Sequence, residues 1–144
     1  MRAAWRAIQA RLQGNGPLLA FFAEHYPDTP LNWFIGYKTD RSAAEFPYIA
    51  IAPTVATFTR WPANGSTAAA VIVGINEPAV DEGESRGLVR IDEALPLVLD
   101  ALNVQPLSEN PKVMWLGGCR IASDMGITHP YYEGEVALQL DVKP

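Results

Sequence analysis

The sequence predicts an α+β domain in which a mostly antiparallel sheet of four to five strands is covered on one face by two to three helices. The 144 residues are 49% apolar and 19% charged, a composition typical of one globular domain spanning residues 1–144. Apolar residues recur with helical spacing near the start of the chain and again after residue 86. Strand-like segments follow one another through short turns, which favours antiparallel pairing and a two-layer arrangement.

Two helices are predicted at the start of the chain. Trp5, Ile8 and Leu12 are spaced to lie on one face of a helix over residues 2–13. The glycines that follow can end this helix, and Pro17 suits the first turn of a second, strongly apolar helix over residues 17–26.

The next segment predicts strands and a long hairpin. Residues 32–38 read as one strand, and residues 47–75 read as a hairpin whose tip projects from the core. The turn is expected at Pro62-Ala63-Asn64-Gly65, because Asn-Gly is a strong turn signal. Pro53 should stop or bulge the pairing, since proline lacks the N–H that a strand ladder needs.

A third helix is predicted over residues 87–103. Its apolar residues form a single stripe of about 100° on a helical wheel. They are Leu88, Ile91, Leu95, Val98, Leu99 and Leu102. Pro96 interrupts the hydrogen-bond pattern and should kink the helix, but the stripe keeps its phase across it.

The last part of the chain predicts two strands. Residues 112–121 read as a strand interrupted at Gly117–Gly118. The final strand alternates, so that one of its sides is expected to be buried. The residues of that side are Val136, Leu138, Leu140 and Val142.

No arrangement of residues predicts catalysis, a metal site or a cofactor site. His129 and Glu133 precede the final strand, and a small hydrolase using them together with Asp124 is the enzymatic alternative. In an extended chain the side chains of His129 and Glu133 lie roughly 13 Å apart. A turn with aromatic packing is therefore favoured over a catalytic or metal site. His25 reads as a polar helix end, and the single cysteine, Cys119, reads as a small buried hydrophobic residue. We expect no cofactor.

Two segments are predicted to form contacts with other molecules or with solvent. Aromatic residues near the hairpin tip suggest a protein–protein contact, and a hairpin that folds back onto its own domain is the alternative. The candidate residues of this contact are Phe58, Arg60, Trp61 and Asn64. The acidic residues Asp81, Glu82 and Glu84 read as a solvated loop at a helix start, or as part of an acidic surface that repels phosphates.

The charge excludes some partners. The formal net charge is −5, and the 11 lysine and arginine residues form no run. Tight binding to a phosphate backbone or an acidic membrane surface is therefore not expected. No apolar run reaches the roughly 18 residues of a membrane span, and the first residues lack the apolar core of a secretory signal. A single cysteine is consistent with a reducing cytoplasm.

The order of these elements resembles a known family. The parts that carry the resemblance are MRAAWRAIQARL, FPYIAIAP, AAAVIVGI, GLVRIDEALPLVLDAL and HPYYEGEVALQLDV. In this order and spacing they resemble the tail terminator family of tailed bacteriophages and prophages, also called tail-completion or minor tail protein U-like proteins. Residues 14–31 are longer and more apolar than the usual link, and Pro96 interrupts the long helix.

The resemblance implies a structural protein and not an enzyme. Family members form a ring, commonly a homohexamer, that caps the tail tube, stops its polymerisation and joins it to the head-side connector or stopper. The implied partners are other copies of the chain, the tube protein and the connector, while DNA passes through without specific binding. The implied location is the tail of the virion, and the host cytoplasm during assembly. Another connector or tube component is the alternative within the same class.

Overall fold

The computed structural model describes residues 2–36, 42–60, 64–81, 83–110, 112–123 and 129–143, with only the backbone described at 54–60, 64–66, 81, 116–121 and 123. The helices of this part are α1 (Arg2–Gln13), α2 (Gly16–His25) and α3 (Arg86–Leu102), with a 3-10 turn at Ala43–Glu45. The strands are β1 (Asn32–Ile35), β2 (Tyr48–Arg60), β3 (Asn64–Asn76), β4 (Val80–Asp81), β5 (Glu84–Ser85), β6 (Ser108–Glu109), β7 (Lys112–Ser123) and β8 (Tyr131–Lys143).

The three predicted helices are present and bury most of the predicted stripes, although Leu88 and Leu99 of α3 are only half-buried. In α1, Trp5 is 6% exposed, and Ile8 and Leu12 are fully buried. Burying one such aliphatic side chain contributes about 1.5–3 kcal/mol. The helix α3 continues through Pro96, which lies on its exposed side. Water can there satisfy the carbonyl group that loses its N–H donor.

The sheet differs from the prediction in strand number and direction. Over the described residues it has six strands in the order β1-β2-β3-β8-β7-β6, and the edge strand β1 runs parallel to β2. The other pairs in this sheet are antiparallel. Two parallel strands need a crossover connection of about a dozen residues between them. The 12 residues at 36–47 separate the end of β1 from the start of β2 and provide that length. The prediction of a mostly antiparallel sheet of four to five strands missed this crossover and the two-residue strand β6.

The long hairpin forms, but it does not project from the sheet. The strand β3 pairs with β2 on one side, and on the other side with β8 from Gly65↔Val142 to Asn76↔Tyr131. Asn64 and Gly65 belong to β3 and not to the turn, because the pairing extends to Arg60↔Asn64. A register shift between Pro53 and Val55 confirms the predicted irregularity at Pro53.

The predicted interruption of β7 is also present. The register between β7 and β8 shifts between Trp115 and Cys119, the segment that contains the two adjacent glycines. On the outer side of β7, the Gln105 side chain takes the place of a neighbouring strand. Its Oε1 accepts a hydrogen bond from the Trp115 N–H at 3.0 Å, and its Nε2 donates to the Trp115 carbonyl at 3.4 Å.

The sheet has two different faces. One packs under the three helices and contributes aliphatic residues such as Ile51, Val71 and Leu138 to the main core. We call this the helix-covered face. The opposite face carries a smaller cluster made of aromatic and small side chains. Its members are Phe46, Tyr48, Ala50, Ala52, Ala70 and Ile72, with Phe34 and Tyr131 packed against them. We call this the aromatic face.

Candidate functional site

The segment that leads into β8 builds a chain of hydrogen bonds at the start of α3. The Ser85 hydroxyl donates to the Tyr132 hydroxyl oxygen at 2.6 Å. The same oxygen lies 2.6 Å from His129 Nδ1, which accepts the phenolic hydrogen when that nitrogen is unprotonated. Tyr132 is only 2% exposed. These hydrogen bonds therefore connect the beginnings of α3 and β8 through the buried Tyr132.

Glu133 lies in a different network from His129. Its Oε1 accepts a hydrogen bond from the Tyr48 hydroxyl at 2.7 Å, on the aromatic face. Tyr132 belongs to the core under the helices, and successive residues of a strand point to opposite faces. The structure thus brings His129 and Glu133 to separate tyrosines. Asp124 lies outside the described residues.

Within the described part of the chain, neither histidine joins a cluster of potential metal ligands. His25 packs its ring edge-on against Phe21 with the ring centroids 4.8 Å apart, and it closes α2. Among the described residues, no group of three His, Cys, Asp or Glu side chains could hold a metal ion. Cys119 lies in β7, where only its backbone is described.

The acidic segment forms a small strand pair at the start of α3. Asp81 in β4 pairs with Glu84 in β5, and Gly83 between them has a φ of +86°, which favours glycine. Glu84 is exposed, while Glu82 lies outside the described residues. Like charges at paired positions repel each other. This segment is therefore suited to contact with solvent or with a cationic partner, and not to burial in a hydrophobic core.

The predicted interface residues at the hairpin are only partly described. Phe58 pairs with Gly65, and Arg60 pairs with Asn64 at the end of the β2–β3 ladder. Trp61 lies outside the described residues. The backbone therefore places three of the four candidates at one end of the sheet, and their role as a subunit or tube interface stays a prediction.

Tyr26 is a polar group that the sequence did not single out. Its hydroxyl is buried and has no hydrogen-bond partner among the described residues. Burial, reinforced by the negative charge of Glu77, raises the pKa of the Tyr26 hydroxyl above its usual range. The residue packs beside the core at the end of α2.

Two glycines allow the tyrosines of the site to pack closely, and the sequence did not reveal either contact. A Cβ atom at Gly74 would lie 2.0 Å from the Tyr48 ring, and one at Gly87 would lie 2.2 Å from the Tyr132 ring. A glycine inside a strand or a helix costs stability, so its position is a signal of close approach. The pairing of β2 with β3 places Tyr48 beside Gly74, and the packing of α3 on β8 places Tyr132 beside Gly87.

Comparison with known proteins gives a likeness of fold. No family model matches the chain, and no curated protein matches it. The fold is similar to that of a chain in a solved structure described as the virion of a native gene transfer agent (GTA) particle, with a TM-score of 0.57. The two sequences are 9% identical, and the match covers 97% of this chain and 94% of the other. No helix in the described part of this protein is long and apolar enough to span a membrane.

Proposed function

We propose that this protein is a structural component of a phage-like tail, and specifically a tail terminator. In this role it closes into a ring on the head-proximal end of the tail tube, stops the tube from growing and presents a surface to the head-side connector. The proposal is that of an assembly protein and not of an enzyme.

The observation that carries the proposal is the extent of the fold likeness. A chain from a virion particle matches this one over 97% of its length and is itself covered over 94%. The two chains therefore share one architecture over nearly the whole of the compared lengths. Because folds are reused for different functions, the likeness supports a virion role by analogy. The order of sequence elements described above supports the narrower assignment to a terminator.

The geometry of the polar residues agrees with an assembly role. His129 and Glu133, the residues of the enzymatic alternative, are each engaged by a tyrosine, and those tyrosines lie on opposite faces of the sheet. A general base must reach the proton it removes, and a triad needs its members within hydrogen-bond distance of one another.

Negative-stain electron microscopy of the purified protein, alone and mixed with its tube protein, tests the proposal. A terminator is expected to form closed rings of one size and to cap tubes of limited length. A protein that grows into long filaments by itself would instead be a tube component. A protein that remains monomeric alone and does not attach to tube ends would exclude both roles.

The acidic segment provides a second, finer test. We propose that Asp81, Glu82 and Glu84 face the channel through which DNA passes, where negative charge keeps phosphates from adhering. Exchanging the three for lysine should slow DNA ejection from assembled particles, with a stronger effect at low salt. Unchanged ejection kinetics would place these residues in a solvated loop outside the channel.

A further inference from the structure

Positive and negative charges are unevenly distributed along the chain. Residues 1–23 contain three arginines and no acidic residue. The remaining residues hold the other 8 basic residues, since 11 less 3 is 8, and all 16 acidic ones. The cationic segment comprises α1 and most of α2, so the charge asymmetry of the sequence becomes an asymmetry between elements of the fold.

The outer side of α1 exposes two arginines that have no ion-pair partner among the residues that the structure describes. Arg2, Arg6 and Ala10 are exposed and lie four residues apart, in one row along the helix. Neither Arg2 nor Arg6 forms an ion pair with any residue that the structure describes. Arg11, by contrast, donates to the carbonyl oxygens of Pro106 and Leu107 at 3.3 and 3.4 Å.

The outer side of α3 carries the complementary charges with the same spacing. Asp92, Pro96 and Asp100 are exposed and form another row at intervals of four. Within the described part of the chain, Asp92 and Asp100 form no ion pair, whereas Glu93 is held by Arg90 at 3.0 Å. Each row is about 12 Å long, given a rise of about 1.5 Å per residue.

Both rows place a charge where it disfavours its own helix. Arg2 is in the first turn of α1, which has no acidic residue, and the positive end of the helix dipole repels it. Asp100 is in the last turn of α3, which has no basic residue, and the negative end of that dipole repels it. Local conflicts of this kind are typical of sites used for function.

We infer that the Arg2–Arg6–Ala10 row of one copy docks on the Asp92–Pro96–Asp100 row of a second copy. An antiparallel arrangement of the two helices brings Arg2 beside Asp100 and sets the positive end of α1 against the negative end of α3. Both unfavourable dipole interactions are then relieved together. In this register Arg6 lies opposite Pro96, between the two aspartates, and Ala10 lies opposite Asp92. The small or compact side chains of Ala10 and Pro96 allow the helices to approach. The occupant is a second copy because the same chain carries both rows.

This inference identifies a contact between copies of the chain, and it rests on the proposed function because that function requires self-association. The test measures self-association by sedimentation velocity and light scattering over a range of concentrations. The variant Arg2→Glu/Arg6→Glu should weaken association at least about tenfold, since several like-charge contacts replace favourable ones. Asp92→Lys/Asp100→Lys should do the same. Glu24→Lys/Asp28→Lys, which makes the same charge change as Asp92→Lys/Asp100→Lys at exposed positions near the end of α2, should leave association unchanged.

Two combinations test the pairing of the rows directly. Mixing the two double variants should restore association in complexes that contain both, because every contact between unlike chains is then attractive. The fourfold variant Arg2→Glu/Arg6→Glu/Asp92→Lys/Asp100→Lys keeps the net charge of −5, because a change of −4 is offset by +4. It should associate alone, to within about threefold of the unmodified protein. Folding is controlled by thermal melting, and the fourfold variant should melt no lower than the original, since each exchanged terminal charge now agrees with its helix dipole.

Each other result overturns the inference. If the unmodified protein associates but the double variants associate equally well, the contact lies elsewhere and the proposed ring remains possible. If the double variants fail and neither the mixture nor the fourfold variant recovers, the two rows do not meet. If Arg2→Glu/Arg6→Glu changes only the retention of DNA on the protein, the arginines serve a nucleic acid. A protein that never self-associates, even with its tube protein, contradicts both this inference and the proposed function.

Discussion

The two faces of the sheet are built by the same strands, yet they are held together differently. The helix-covered face buries branched aliphatic side chains from β2, β3 and β8 beneath three helices. The aromatic face combines tyrosine and phenylalanine rings with alanines, and its tyrosine hydroxyl bonds a carboxylate. The comparison shows that alternation along a strand determines which residues share a face, while the elements that cover each face determine how it is stabilised.

The largest expected difference between the faces concerns adjacent residues of β8. Leu140 is fully buried under the helices, and its neighbour Gln139 is exposed on the other side. Leu140→Ala should lower the free energy of unfolding by about 4 kcal/mol, through lost burial and the cavity left behind. Gln139→Ala should change it by less than about 0.5 kcal/mol. Urea unfolding monitored by circular dichroism measures both, and similar losses would mean that the second face of β8 is also covered.

Glycines that admit side chains from each face give the next largest contrast. Gly74→Ala places a Cβ against the ring of Tyr48, a fully buried and rigid side chain. We expect a loss of about 3 kcal/mol, typical of severe overpacking. Gly134→Ala meets the Cγ2 methyl of Ile91, which is stiff at χ1, and the end of Leu95, which can turn away, and should lose about 2 kcal/mol. The same unfolding experiment would contradict this contrast if the two losses were equal or reversed.

Two tyrosines allow a hydroxyl that forms a hydrogen bond to be compared with a buried one that has no partner among the described residues. On the aromatic face, Tyr48→Phe removes the donor to Glu133 and should cost about 1–2 kcal/mol at neutral pH. Beside the helix-covered core, Tyr26→Phe removes a buried hydroxyl that has no partner among the described residues. It should be neutral or slightly stabilising, because no hydrogen bond is lost. Thermal melting of the pair would argue against this assignment if Tyr26→Phe were the more damaging change.

The smallest expected effect is the response of Tyr26 to alkaline pH. Its pKa is raised in the folded protein, so folding favours the protonated hydroxyl. This contribution is fully present below the unfolded pKa of about 10 and is lost as the pH rises above it. Tyr26→Phe should therefore lose less stability than the original protein between pH 9.5 and about 11, because it has no proton to release there. Parallel stability curves for the two proteins would show that the Tyr26 hydroxyl titrates normally.

The helices, most strand positions and the buried side of β8 could be predicted from the sequence alone. These follow from local spacing: a period of 3.6 residues in α1 and α3, and a period of two in β8. The interruptions at Pro53 and at Gly117–Gly118 were also predictable, because they depend on the residue types alone.

How these elements meet could not be predicted in the same way, because it depends on long-range contacts. The parallel pairing of β1 with β2, and the flank that β8 provides for the hairpin, depend on residues distant in the chain. The separation of His129 from Glu133 has the same origin, since each is bound by a tyrosine that the register places on a different face. Local spacing fixes the side on which a residue lies. The partner it meets there is fixed by long-range pairing, and no pattern within one segment contains that information.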